Sequence, residues 1–92
     1  MKNECRYEIR FTGRVQGVGF RMTARRVAGE YAVAGWVRNE PDGSVRCVAE
    51  GEVAELKRFV EAVQHAMAGN VEETEVHRAA ATGEFTGFSV RH

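Results

Sequence analysis

Hydrophobic periodicity changes once, early in the chain, from a two-residue repeat to a helical one, and that change fixes how the fold begins. Cys5, Tyr7, Ile9 and Phe11 alternate with Arg6, Glu8, Arg10 and Thr12, the pattern of a strand with one covered and one wet face. From Phe20 the spacing becomes Phe20, Thr23/Ala24, Val27/Ala28 and Tyr31, the stripe of an amphipathic helix. Strand therefore gives way to helix across residues 13–20, a segment rich in glycine.

The remaining pattern supplies the partners. Val33 to Asn39 and Ser44 to Glu50 read as two strands joined through Glu40-Pro41-Asp42-Gly43, whose Pro and Asp-Gly are turn chemistry, so they form a hairpin. Val53, Leu56, Val60, Val63 and Met67 make a second helical stripe, opened by Glu52 and Glu55 and closed by Gly69-Asn70. Val71 to Arg78 alternates poorly, Ala79-Ala80-Ala81 lowers strand propensity, and Phe85, Phe88 and Val90 mark a last short strand. The expected class is α+β: a ferredoxin-like βαββαβ sandwich, with an antiparallel four- to five-stranded sheet and two helices on one face. A chain of 92 residues closes about one core, so residues 1–92 read as a single domain.

Charge narrows the function. Lys plus Arg and Asp plus Glu are 13 each, which lacks the basic surplus of nucleic-acid binding. Residues 1–48 nevertheless carry nine basic and five acidic side chains, and residues 49–92 four and eight, so an anion is expected in the first half. Trp36 reads as a packing residue rather than a base-stacking platform. The polar N-terminus leads into no long apolar run, so no signal peptide or membrane span is expected and the expected location is cytoplasmic. Cys5 and Cys47 lack metal or redox spacing and are expected to be reduced. His65, His77 and His92 lack ligand spacing, Glu72, Glu73 and Glu75 read as a solvated face, and no Cys or Ser nucleophile sits beside a base. No metal or cofactor is expected.

The joining segment, Gly13-Arg14-Val15-Gln16-Gly17-Val18-Gly19-Phe20-Arg21, has three glycines in seven residues. It is neither a Walker loop nor the dinucleotide fingerprint. Its glycines permit torsions that let successive N–H groups converge, and with the positive end of a helix dipole such a nest holds phosphate-like anions. A tight turn with no ligand satisfies the same composition. Arg21 opposes the dipole in the first helical turn, at a cost of roughly 0.3–1 kcal/mol, which a bidentate hold on phosphate offsets; an exposed Arg without a role is the alternative. Val15, Val18 and Phe20 are expected to anchor the loop on the core.

Gly13 to Arg21 resembles the first signature of the acylphosphatase family. Gly35-Trp36-Val37-Arg38-Asn39, followed by Gly43, Val45 and Gly51, is similar to the second. The resemblance spans essentially the whole chain and implies the same ferredoxin-like fold. It implies that the N–H groups of Val15, Gln16, Gly17, Val18, Gly19 and Phe20 cradle a phosphate, that Arg21 pairs with it, and that Asn39 holds the attacking water. The implied substrates are small acyl phosphates, with inorganic phosphate or sulfate competing and the protein acting as a monomer without metal. Without the resemblance Asn39 is an ordinary residue before a turn. A non-catalytic anion-binding module of the same fold is the competing reading, and an RNA-binding sheet is the third.

Overall fold

The structure, a computed structural model, describes residues 3–92; Met1 and Lys2, the start of the polar N-terminal stretch, lie outside the described residues. Strand β1 (Glu4–Gly13) is followed by helix α1 (Phe20–Ala28), strands β2 (Val33–Asn39) and β3 (Val45–Glu52), helix α2 (Val53–Ala66), and strands β4 (Val71–Ala80) and β5 (Phe88–Arg91). The sheet order is β4-β1-β3-β2-β5. Alternation sends Tyr7, Ile9 and Phe11 of β1, Val37 of β2, and Val45 and Cys47 of β3 to one face. There they bury with Phe20, Ala24 and Val27 of α1 and Leu56, Phe59, Val60 and Val63 of α2. Each buried Leu, Ile, Val or Phe contributes about 1.5–3 kcal/mol relative to exposure, so this layer is the main source of stability.

Four strands are antiparallel as expected, but β5 lies parallel to β2 on the far edge. The crossover explains it. β4 runs antiparallel to β1, and residues 81–87 then pass along the end of the sheet where β4 finishes, so β5 starts at the same end as β2. Glu50 holds this crossover: its carboxylate accepts from the Thr82 N–H (2.9 Å), the Thr82 hydroxyl (3.0 Å), the Gly83 N–H (2.9 Å) and Arg6 Nε (2.9 Å). Arg6 continues to Glu84 and stacks its guanidinium 5.3 Å from the Phe85 ring. Phe85 is thus part of the crossover, and the last strand begins only at Phe88.

β4 is a regular ten-residue strand despite its poor alternation. It is an edge strand paired to β1 alone and mostly exposed on both faces, so backbone hydrogen bonds rather than burial hold it. Cys5 and Cys47 are both free and buried. Cys5 pairs with Gly51 and Cys47 with Ile9, four positions apart along one ladder, or roughly 13 Å, which is beyond disulfide reach. Burial pushes the Cys47 thiol far up, so it stays protonated and unreactive. On the open face Trp36 lies under the guanidinium groups of Arg91 (4.6 Å), Arg38 (4.9 Å) and Arg46 (5.6 Å), which cover the ring a base would stack on. Among the described residues no helix is long and apolar enough to cross a membrane.

Glu50 is only 7 % exposed. Burial alone would raise its pKa, but the Thr82 and Gly83 N–H groups and Arg6 override this and hold it at about 2, below the ordinary 4.5. Its ionised form therefore favours the fold, with the contribution complete above the ordinary value and lost as pH falls through about 2. Glu50→Gln should lower stability at neutral pH by about 2 kcal/mol and flatten the part of the stability profile between pH 4.5 and 2 that this carboxylate generates. Denaturant melts across that range check it.

Candidate active site

The segment between β1 and α1 is fixed at three points. At its start Arg14 N–H donates to Asn70 O (2.9 Å) and Asn70 Nδ2 donates back to Arg14 O (3.0 Å). In the middle Gln16 Nε2 donates to Glu40 O and Ser44 O, both at 2.8 Å. At its end Phe20 is buried against Phe11, ring centroids 4.9 Å apart. Val15 is buried as expected, but Val18, between Gly17 and Gly19, is 37 % exposed and does not pack on the core, so it does not anchor the loop.

Between these points the backbone is left unpaired. The N–H groups of Val15, Gln16, Gly17, Val18 and Gly19 have no acceptor among the described residues. Gly17 and Gly19 adopt left-handed torsions, φ 74° and 77°, and a Cβ built on either meets no atom within 4 Å. What requires glycine there is torsion, not crowding. Gly19 is also the N-cap of α1, and neither a side-chain cap nor an acidic residue in the first turn neutralises that helix end. Orphan donors, a helix dipole and a cation thus share one spot, which favours an anion.

The structure brings Arg21 and Asn39 to this spot. Both line a hollow of about 100 Å³ with Val15, Gly17, Gly19, Phe20 and Met22. Arg21 Nη1 donates to Arg91 O (3.1 Å) and lies 3.1 Å from His92 Nδ1, so the residues at and just beyond the end of β5 hold the guanidinium. Asn39 is the last residue of β2, paired with Val45, and alternation from the buried Val37 points it to the helix side of the sheet. The β2–β3 turn closes without its side chain: Asp42 Oδ1 accepts from the Ser44 N–H (2.9 Å) and hydroxyl (2.6 Å), and Glu40 N–H donates to Ser44 O (2.9 Å). The two bonds from Ser44 and the Arg10 guanidinium hold the Asp42 carboxyl well below the usual range.

Sequence reasoning missed the parts that hold the loop. The Gln16 side chain clamps it to the turn, Asn70 anchors its start, and the Arg91 carbonyl steadies Arg21. Such links join residues 24 to 70 positions apart, and no local pattern encodes them. Among the described residues no group of three His, Cys, Asp or Glu side chains is placed to hold a metal ion.

A family model described as Acylphosphatase matches residues 7–90. An acylphosphatase of Salinibacter ruber is 49 % identical over 89 residues, covering 96 % of this chain and 94 % of that one. The crystal structure of acylphosphatase from Bacillus subtilis superposes with a TM-score of 0.88 at 37 % identity, covering 96 % of this chain and 99 % of the other. An acylphosphatase structure from Coxiella burnetii gives 0.84 at 31 % identity, covering 97 % and 94 %. Fold and relatives together define a hydrolase of the ferredoxin-like α+β class. The chain belongs to the acylphosphatase family.

If the Gln16 clamp sets the loop, Gln16→Ala frees its middle to drift while leaving its two ends and the core intact. Two hydrogen bonds to carbonyls are lost, so the melt should report about 1–2 kcal/mol. Hydrogen exchange of the Gly17 to Gly19 amides should accelerate more than that of β1.

Proposed function

We propose that the protein hydrolyses the carboxyl–phosphate bond of small acyl phosphates, giving a carboxylate and inorganic phosphate without a metal ion. The observation that carries this reading is the set of five consecutive loop N–H groups without acceptors among the described residues, in a segment whose Val15, Gly17 and Gly19 line one hollow with Arg21 and Asn39. In it the N–H groups of Val15 to Phe20 hold the phosphoryl oxygens and Arg21 pairs with them. The Asn39 amide donates to one partner and accepts from a water, placing that water in line with the leaving oxygen.

The chemistry asks little more. The water oxygen forms a bond to phosphorus as the bond from phosphorus to the acyl oxygen breaks, and the departing carboxylate, a weak base, needs no general acid. The water's proton passes to a phosphoryl oxygen, since no side-chain base lines the hollow. Transfer of a phosphoryl group runs through a loose transition state in which positioning and charge stabilisation carry catalysis. Donors fixed before the substrate arrives serve that state without reorganising, and the three attachments of the loop support their being fixed. The groups lining the hollow are N–H donors, a guanidinium and an amide; these suit an anion and not a cation.

Turnover of acetyl phosphate should persist in EDTA, and inorganic phosphate should compete. Arg21→Lys should lose both turnover and phosphate affinity, because a point charge cannot reproduce a forked pairing; near-normal kinetics would remove the bidentate role. Asn39→Ala should lower kcat by roughly 10²-fold with phosphate affinity and melting temperature near wild type. A variant that melts early yet turns over normally when folded would make Asn39 a turn residue only. Absence of any turnover in the wild type, with phosphate still bound, would leave a non-catalytic binding module.

A further inference from the structure

A groove of about 360 Å³ runs between α1 and β5, lined by Arg21, Met22, Arg25, Phe88, Val90 and His92, with Ser89. Arg21 and Met22 line this groove and the phosphate-sized hollow alike, so the two adjoin at these side chains. Met22 is 60 % exposed, and with Val18 it is one of three exposed large hydrophobic side chains among the described residues. Val18 lies in the loop and Met22 in the first turn of α1, where an apolar surface left in water gains from a substrate's carbon skeleton. The half-buried Phe88 and Val90 extend that surface along the groove.

The groove holds no acid. Arg26 pairs with Glu30 and Arg21 is held by Arg91 and His92, but the exposed Arg25 has no ion-pair or side-chain hydrogen-bond partner among the described residues. It stands one helical turn beyond Arg21, roughly 6 Å along the axis. A phosphate beside Arg21 thus has, one helical turn along the same groove, the unpaired guanidinium of Arg25.

We infer that this groove takes the acyl half of the substrate, and that Arg25 selects acyl groups carrying a second anion at their far end. The inference rests on the acyl-phosphate reading above and specifies its substrate class: acyl phosphates of dicarboxylic or otherwise doubly anionic acids. Met22, Phe88 and Val90 contact the carbon skeleton and Arg25 pairs with the distal carboxylate. The bond broken is the same as before, so Arg25 is a specificity residue and takes no part in the transfer.

The test compares 4-carboxybenzoyl phosphate with 4-methylbenzoyl phosphate, rigid substrates of similar shape that differ in the distal charge. Wild type should favour the carboxylated compound in kcat/KM by roughly threefold to tenfold, the scale of one partly solvated charged pair. Arg25→Gln should bring that ratio to about one, and Arg25→Glu should invert it, with the effect shrinking as salt is raised. A wild-type ratio near one, or a ratio that Arg25→Glu leaves unmoved, overturns the assignment while leaving phosphatase activity in place. If wild type hydrolyses neither compound nor acetyl phosphate, the acyl-phosphate reading falls and takes this assignment with it.

Discussion

The register of β1 against β3 governs the molecule, because Phe11 opposite Val45 brings the end of one strand to the start of the other. Residues that follow β1 must then leave the sheet beside residues that precede β3. The glycine loop and the β2–β3 turn are therefore neighbours before any side chain is considered, and Gln16 closes the gap with two hydrogen bonds. A slip of one residue would turn Ile9 and Phe11 to the open face. It would also carry Asn39, bound in register to Val45, away from the loop.

The two ends of the sheet divide the electrostatic work. At one, Glu50 gathers N–H donors from Thr82 and Gly83 and the Arg6 guanidinium, so its negative charge is satisfied within the protein. At the other, the loop donors and the Arg21 guanidinium meet no carboxylate among the described residues. Similar groups therefore serve stability in one place and are left for a ligand in the other. The crossover at Glu50 also determines where β5 runs, and β5 in turn presents the Arg91 carbonyl to Arg21.

Elements whose residues face one way were legible in the sequence. β1 alternates because α1 and α2 cover one face, and α2 shows its stripe because Leu56, Phe59, Val60 and Val63 point to one core. β4 was obscure because, being at an edge, it is under no burial constraint, and β5 because four residues hold too short a pattern. The parallel placing of β5 follows from a crossover held by Glu50, which the sequence shows only as the last residue of the third strand. At the candidate site the loop and Arg21 stood out by residue type and by family resemblance, Asn39 by the resemblance alone. Val18 was misread because an apolar residue in a loop signals burial only when the chain turns it inward. The clamps from Gln16, Asn70 and Arg91 had no signature, since an amide or a carbonyl becomes specific only once the fold places its partner.

The outer margin of β4 bears on how copies of this chain meet in a crowded solution. Ten residues there offer unpaired backbone groups along one side, a ready template for adding a foreign strand. The margin carries Glu72, Glu73 and Glu75 close together. A foreign strand approaching it would have to lie against this charge, which opposes formation of a ladder. The acidic run that contributes nothing to the anion site thus discourages strand addition at this edge.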